Sequence, residues 1–174
     1  MKLLQCLVLM TLTFAIACKK PDPNMTKTGE DELKSLELDR ELSLKDRKFE
    51  DIIYIPIYSD IYIDKVNQNS LLSATLSIRN TSPSDSLFVS VIDYYDTDGD
   101  LVRSYIDNPI VLSPMASVNY VIEKEDSAGG SGANFIVELS SDHNLQPLIQ
   151  AIMIGENGNN KGFAFATDGY SITR

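Results

Sequence analysis

Four aspartates fall within eight residues: Asp93, Asp96, Asp98 and Asp100 lie in the run Ile-Asp-Tyr-Tyr-Asp-Thr-Asp-Gly-Asp. Oxygen-rich clusters of this kind hold calcium, so a cation site is the first chemistry to test. If Gly99 takes the sixth place of an EF-hand loop, the first and twelfth places fall on Tyr94 and Tyr105, where the ion needs carboxylates. The spacing rejects that loop and leaves Asp96, Asp98 and Asp100 as weak ligands of a cation site of another kind. Asp-Gly between two β-rich runs is also what a hairpin turn demands, because Gly takes the positive φ and Asp bonds its own backbone. The turn is the favoured reading. Asp93 differs from its neighbours, since it is the one acid inside an otherwise apolar strand. A buried aspartate must be paired or protonated, which makes Asp93, with Tyr94 beside it, a candidate polar site for binding or for structure.

Other motifs carry less. Gly129-Gly130-Ser131-Gly132 resembles a phosphate loop, but no Gly-Lys-Ser/Thr follows, and the next element reads as a strand rather than a helix whose N-terminus would take the phosphate. A flexible loop or a tight crossing is expected there, and Asn134 directly after it joins the candidate polar site. The only histidine, His143, stands in Ser140-Ser141-Asp142-His143-Asn144. An aspartate adjacent in sequence does not make a triad, so an exposed loop histidine is expected. One histidine and no domain cysteine cannot make the usual zinc site, and no cofactor is expected. With no recognisable catalytic set, the chain reads as a non-enzyme. The competing class is a hydrolase using loop carboxylates, since 25 acidic residues offer many pairs.

These residues need strands to position them. Leu87 to Tyr105 reads as a hairpin whose first arm is apolar on both sides, Val89 and Val91 against Phe88, Ile92 and Tyr94, which suits a central strand covered on both faces. Ile53, Ile55 and Ile57 share one face at period two, with Pro56 placing their strand at an edge or a break. Leu72 to Ile78, Val118 to Ile122 and Phe135 to Leu139 alternate as half-buried strands, and Ile110 to Leu112 is a short apolar piece between two prolines. Leu148 to Ile154 is nearly continuous in apolar character and suits a strand buried on both faces. Gly162 to Ile172 reads as a strand, an Asp168-Gly169 turn and a last extended piece. Short strands with frequent turns and no convincing helix after Asp51 predict an all-β, antiparallel, immunoglobulin-like β-sandwich over residues 51–174.

The N-terminus reads differently. Lys2 precedes an apolar run from Leu3 to Ala17, too short to span a bilayer, ending in Ala15-Ile16-Ala17-Cys18. Small residues before a cysteine resemble the lipobox of bacterial lipoproteins, with Ala15 where leucine is more usual. The resemblance implies a signal peptide over 1–17, lipid on Cys18, and a membrane as partner of an envelope protein. Lys19-Lys20 also resembles surface-export signals. Cys6 would leave with the leader, so the domain holds no thiol. Without residues 1–17 the chain has 14 basic and 25 acidic residues, a formal charge of −11 against −10 for the whole. That charge disfavours nucleic acid. Residues 18–50 read as a charged tether, partly helical or disordered: Glu30 with Lys34 and Glu41 with Lys45 are i, i+4 pairs, and Leu33, Leu36 and Leu38 form a weak stripe.

Taken together, Tyr54-Ile55-Pro56-Ile57-Tyr58-Ser59, Thr75 to Thr81, Asp93 to Gly99, Gly129 to Phe135 and Met153-Ile154-Gly155 resemble the uncharacterised bacterial family known as domain of unknown function 3124. The resemblance implies a small envelope domain and brings no activity or site residue. The expectation is a lipid-anchored bacterial envelope protein serving as a non-catalytic binding or assembly module, with an envelope protein as partner.

Overall fold

The structure, a computed structural model, describes residues 29–62, 70–124, 126–157 and 161–173. The expected signal peptide, the expected lipidation site Cys18 and Lys19-Lys20 lie outside the described residues. A short helix, α1 (Gly29–Ser35), leads into eleven strands: β1 (Phe49–Pro56), β2 (Asp60–Ile61), β3 (Ser70–Arg79), β4 (Leu87–Tyr95), β5 (Leu101–Ser104), β6 (Ile110–Leu112), β7 (Ser117–Ile122), β8 (Asn134–Ser141), β9 (Leu148–Asn157), β10 (Lys161–Asp168) and β11 (Tyr170–Ser171). They form two antiparallel sheets. The first runs β11-β1-β8-β4, with β5 and β6 sharing the far edge of β4; the second runs β10-β9-β3, with β2 and β7 sharing the far edge of β3. Alternate residues of both sheets, among them Ile55, Leu76, Ile92, Phe135, Val137 and Met153, meet in one buried cluster, which makes the architecture sandwich-like.

Several elements follow the sequence, and their departures have physical causes. Pro56 ends β1, and the chain then crosses to the second sheet as β2; the short β11 pairs only with Ile53 and Tyr54, so the missing N–H of Pro56 costs no ladder bond. β4 is central as expected, between β8 on one side and β5 and β6 on the other. Its faces differ from simple alternation. A bulge between Val89 and Val91 turns Leu87, Val89, Ile92 and Tyr94 into the core together, and leaves Val91 only half-buried on the outer face. β9 is not covered on both sides: Ile149, Ala151 and Met153 are buried, but Ile152 and Ile154 are 36% and 52% exposed, because nothing described packs on the outer face of the second sheet there. Asp168-Gly169 is a crossing between sheets rather than a hairpin. A Cβ on Gly169 would stand 2.7 Å from Ile53 and 2.9 Å from Ile55, which explains the glycine.

The sandwich begins before Asp51. Residues 29–48, read from composition as part of a tether, lie against it. Leu33 is 1% exposed and belongs to the core, Leu38 donates its N–H to the carbonyl of Pro109 at 2.8 Å, and Val111 donates to Leu36 at 3.2 Å. Glu37 bridges to Ile110. The segment thus covers the free edge of β6, a row of backbone groups that would otherwise need another partner. Burial of one leucine contributes about 2 kcal/mol toward offsetting the cost of ordering the segment, together with the packing of Leu36 on the core and the backbone bonds to Pro109 and Val111.

Candidate functional site

The hairpin end is built by interlocking loops. Gly99 has φ of +87° and donates to the carbonyl of Asp96 at 3.2 Å, and Asp96 N–H reaches the carbonyl of Asp100 at 3.0 Å. One carboxylate oxygen of Asp96 accepts the N–H groups of Asp98 and Asp100, both at 2.9 Å. That acid organises its own turn, and among the described residues no three of His, Cys, Asp and Glu come together as a metal-binding group. Thr97 locks the turn to the glycine loop. Its N–H and hydroxyl both donate to the carbonyl of Gly129 at 2.9 Å, and its oxygen accepts the N–H of Gly132 at 2.9 Å. A Cβ on Gly129 would fall 2.0 Å from the hydroxyl of Tyr94, so only glycine lets the loop lie on that ring. The fully buried Ser59 completes the lock by donating its N–H and hydroxyl to the carbonyl of Gly130 at 3.0 and 3.1 Å.

Beneath the loop lies an aromatic stack. Tyr94 and Phe135 are 5.5 Å apart, Tyr105 and Phe135 6.0 Å, and Tyr105 and Tyr120 4.1 Å. Arg103 lies 5.7 Å over Tyr105 and pairs with Asp126 at 3.5 Å. Burial pushes the phenol of Tyr94 upward, a shift that the Ser59 hydroxyl opposes; burial and the neighbouring Tyr120 push Tyr105 far upward. Both phenols are therefore neutral at ordinary pH, and the stack is a scaffold with polar tips, holding no ionised nucleophile.

The candidate residues do not converge. Tyr94 points into the core, whereas Asp93 and Asn134 lie on strand positions of the opposite, outer face, in register with Ile136 and Tyr95 respectively. Asp93 is half-buried and accepts the Ser104 hydroxyl at 2.7 Å, so its partner is a neighbouring strand residue rather than a buried counter-charge. His143 is 65% exposed in its side chain and contacts Asp85 at 3.2 Å. Ser82 and Ser84 donate to that same aspartate instead of to the imidazole, which is not the order a nucleophilic triad needs.

The outer face of the first sheet holds a groove that sequence reasoning missed. Its floor holds Ile52 on β1 and Glu138 on β8, paired in register, with the bulged Ser90 of β4 beside them; Val91 is the register neighbour of Glu138 on β4. The segment 40–47 forms its wall. The groove measures about 530 Å³ and is lined among others by Arg40, Leu42, Arg47, Asn108 and Glu138. Two ion pairs stiffen the wall: Arg40 with Asp46 at 2.8 Å and Arg47 with Glu50 at 2.6 Å. Arg40 also lies 5.9 Å over the ring of Phe88, which explains how an outward-facing phenylalanine comes to be 8% exposed. Glu138 was legible as an outward residue between Val137 and Leu139. What composition did not signal was that residues 40–47 would return across the sheet.

Set against known proteins, the chain matches the family model described as "Protein of unknown function (DUF3124)" over residues 50–172. No curated protein matches it. A solved structure described as "Crystal Structure of Thermotoga maritima 1070" is 18% identical with a TM-score of 0.38, covering 69% of this chain and 92% of that one.

Proposed function

This chain belongs to that family of proteins of unknown function, and on this premise we propose that it is a lipid-anchored bacterial envelope protein whose immunoglobulin-like sandwich is a non-catalytic binding module. The observation that carries the reading is the groove of about 530 Å³ on the outer face of the first sheet, within the size range of ligand sites. Its floor is a rigid sheet and its wall is a short segment held by ion pairs, a suitable arrangement for admitting and retaining a ligand. The acidic turn and the glycine loop, whose composition raised the question of chemistry, are engaged in holding each other. Lipid on Cys18 would tether the domain to a membrane.

Two experiments test this. Cys18→Ser should move the protein from the membrane fraction to the soluble envelope fraction, and retention on the membrane would defeat the anchor. A fragment library screened by amide chemical shifts on the isotope-labelled protein should move the resonances of Ile52, Val91 and Glu138 together. Shifts clustered at the hairpin end instead would relocate the site, and none at either place would refute a binding role for the groove.

A further inference from the structure

The groove takes an organic cation: we infer that Glu138 receives an ammonium or guanidinium group carried on a short carbon chain. The inference rests on the groove being the binding site and assigns its chemistry. The lining carries two positive residues, Arg40 and Arg47, and four acids, Glu41, Glu50, Asp51 and Glu138, a formal balance of −2. Both arginines are already neutralised, Arg40 by Asp46 and Arg47 by Glu50. Asp51 accepts the hydroxyl of Ser171 at 2.6 Å and the N–H of Ile52 at 2.8 Å. Glu41 and Glu138 make no side-chain hydrogen bond or ion pair among the described residues; Glu41 is exposed, whereas Glu138 is partly buried in the floor. Glu138 is flanked in register by Ile52 and Val91.

A carboxylate between two apolar residues under a wall of paired charges selects by two features at once. The charge attracts a cation and repels an anion, and the flanking Ile52 and Val91 favour a donor that arrives on a methylene chain. Partial exclusion of water by the wall strengthens that attraction relative to an acid on the open surface. A free polyamine and the lysine or arginine side chain of a protein both present this chemistry.

The test uses the full chain without its lipid anchor (residues 19–174), titrated at fixed ionic strength with spermidine, with a blocked lysine tripeptide, with butyrate and with 1-butanol, each followed by amide shifts. Spermidine or the tripeptide should shift Ile52, Val91 and Glu138, and Glu138→Gln, which keeps size and an outward position, should weaken that binding about tenfold. The stronger of the two cations identifies the source as a free amine or a peptide side chain. If Glu138→Gln binds cations as well as the native protein does, the attraction is a diffuse effect of the acidic surface and the inference fails. If butyrate or butanol moves the groove resonances and the cations do not, the groove remains a site but its charge assignment is wrong. If no probe moves them, the groove reading fails with it.

Discussion

At the hairpin end, Asp96 accepts two backbone N–H groups of its own turn and Thr97 is bonded to both Gly129 and Gly132, whereas on the outer face of the first sheet Glu138 has no such partner among the described residues. Both regions hold several acids, but the turn uses its central one to hold its own backbone while the groove leaves a partly buried one unengaged, and this makes the groove the better candidate for binding. A cluster of polar residues stabilises a fold when its donors and acceptors face one another, and it becomes available to a ligand only when one of them does not. Counting acids along the chain therefore points to the turn, and tracing hydrogen bonds points to the groove.

Breaking the hairpin end should have the largest effect. Gly129→Ala places a methyl 2.0 Å from the Tyr94 hydroxyl and 2.7 Å from Ala133 Cβ, so the loop or the ring must move. The expected loss is about 3 kcal/mol, seen as a fall in Tm of about 10 °C. Adding Tyr94→Phe should restore only part of it, since the ring carbon Cζ lies 2.7 Å from the same methyl. Full stability in Gly129→Ala would show that the two loops are not interlocked. Leu33→Ala comes next, at about 2 kcal/mol. It acts on the other region, so hydrogen exchange should quicken at the amides of Leu38 and Val111, which bond across to and from the 36–38 segment, while the amide of Thr97 stays protected.

The strands and the hairpin turn were legible beforehand, and the groove was not. The strands follow from alternation because one face of each sheet is buried, and the turn at Gly99 follows from the need for a positive φ. Three features were not. The bulge at Ser90 changes which residues of β4 face the core, and nothing in a run such as Phe-Val-Ser-Val-Ile marks where the extra residue falls. The continuous apolar character of Leu148 to Ile154 implied cover on both faces, but Ile152 and Ile154 lie on an open sheet face, and single exposed apolar residues are common on folded proteins and leave no mark in composition. The docking of residues 29–48 turns on Leu33, the partly buried Leu36 and a few backbone bonds, while its many charged residues give a composition typical of linkers.

A smaller effect separates the aspartates of the turn. Asp96→Ala removes an acceptor from two amides and should cost about 1 kcal/mol. Asp98→Ala, at an exposed position, should stay within about 0.5 kcal/mol. Both are read from urea melts with and without millimolar calcium. A rise in native stability with calcium that Asp98→Ala removes would restore the cation site and reverse the comparison.

The smallest effect is confined to the wall of the groove and depends on pH. The guanidinium of Arg40, then the hydroxyl and N–H of Ser43, hold the carboxyl of Asp46 down to about 2 from its ordinary 3.8. A carboxylate whose pKa is depressed in the folded state contributes its stabilisation above the unfolded pKa and loses it as pH falls through the folded one. The tie between Asp46, Arg40 and Ser43 should therefore be complete at pH 5 and weaken between about pH 4 and 2. Since Arg40 and Ser43 are exposed and the pair is screened by solvent, the change should leave the global melt nearly unaltered and appear locally. The measurement is the Ser43 amide shift followed from pH 5 to pH 2. A midpoint near 2 that vanishes in Asp46→Asn supports the tie, whereas a midpoint near 3.8 would mean that the wall is not fastened by this pair, and that the groove opens more freely than its ion pairs imply.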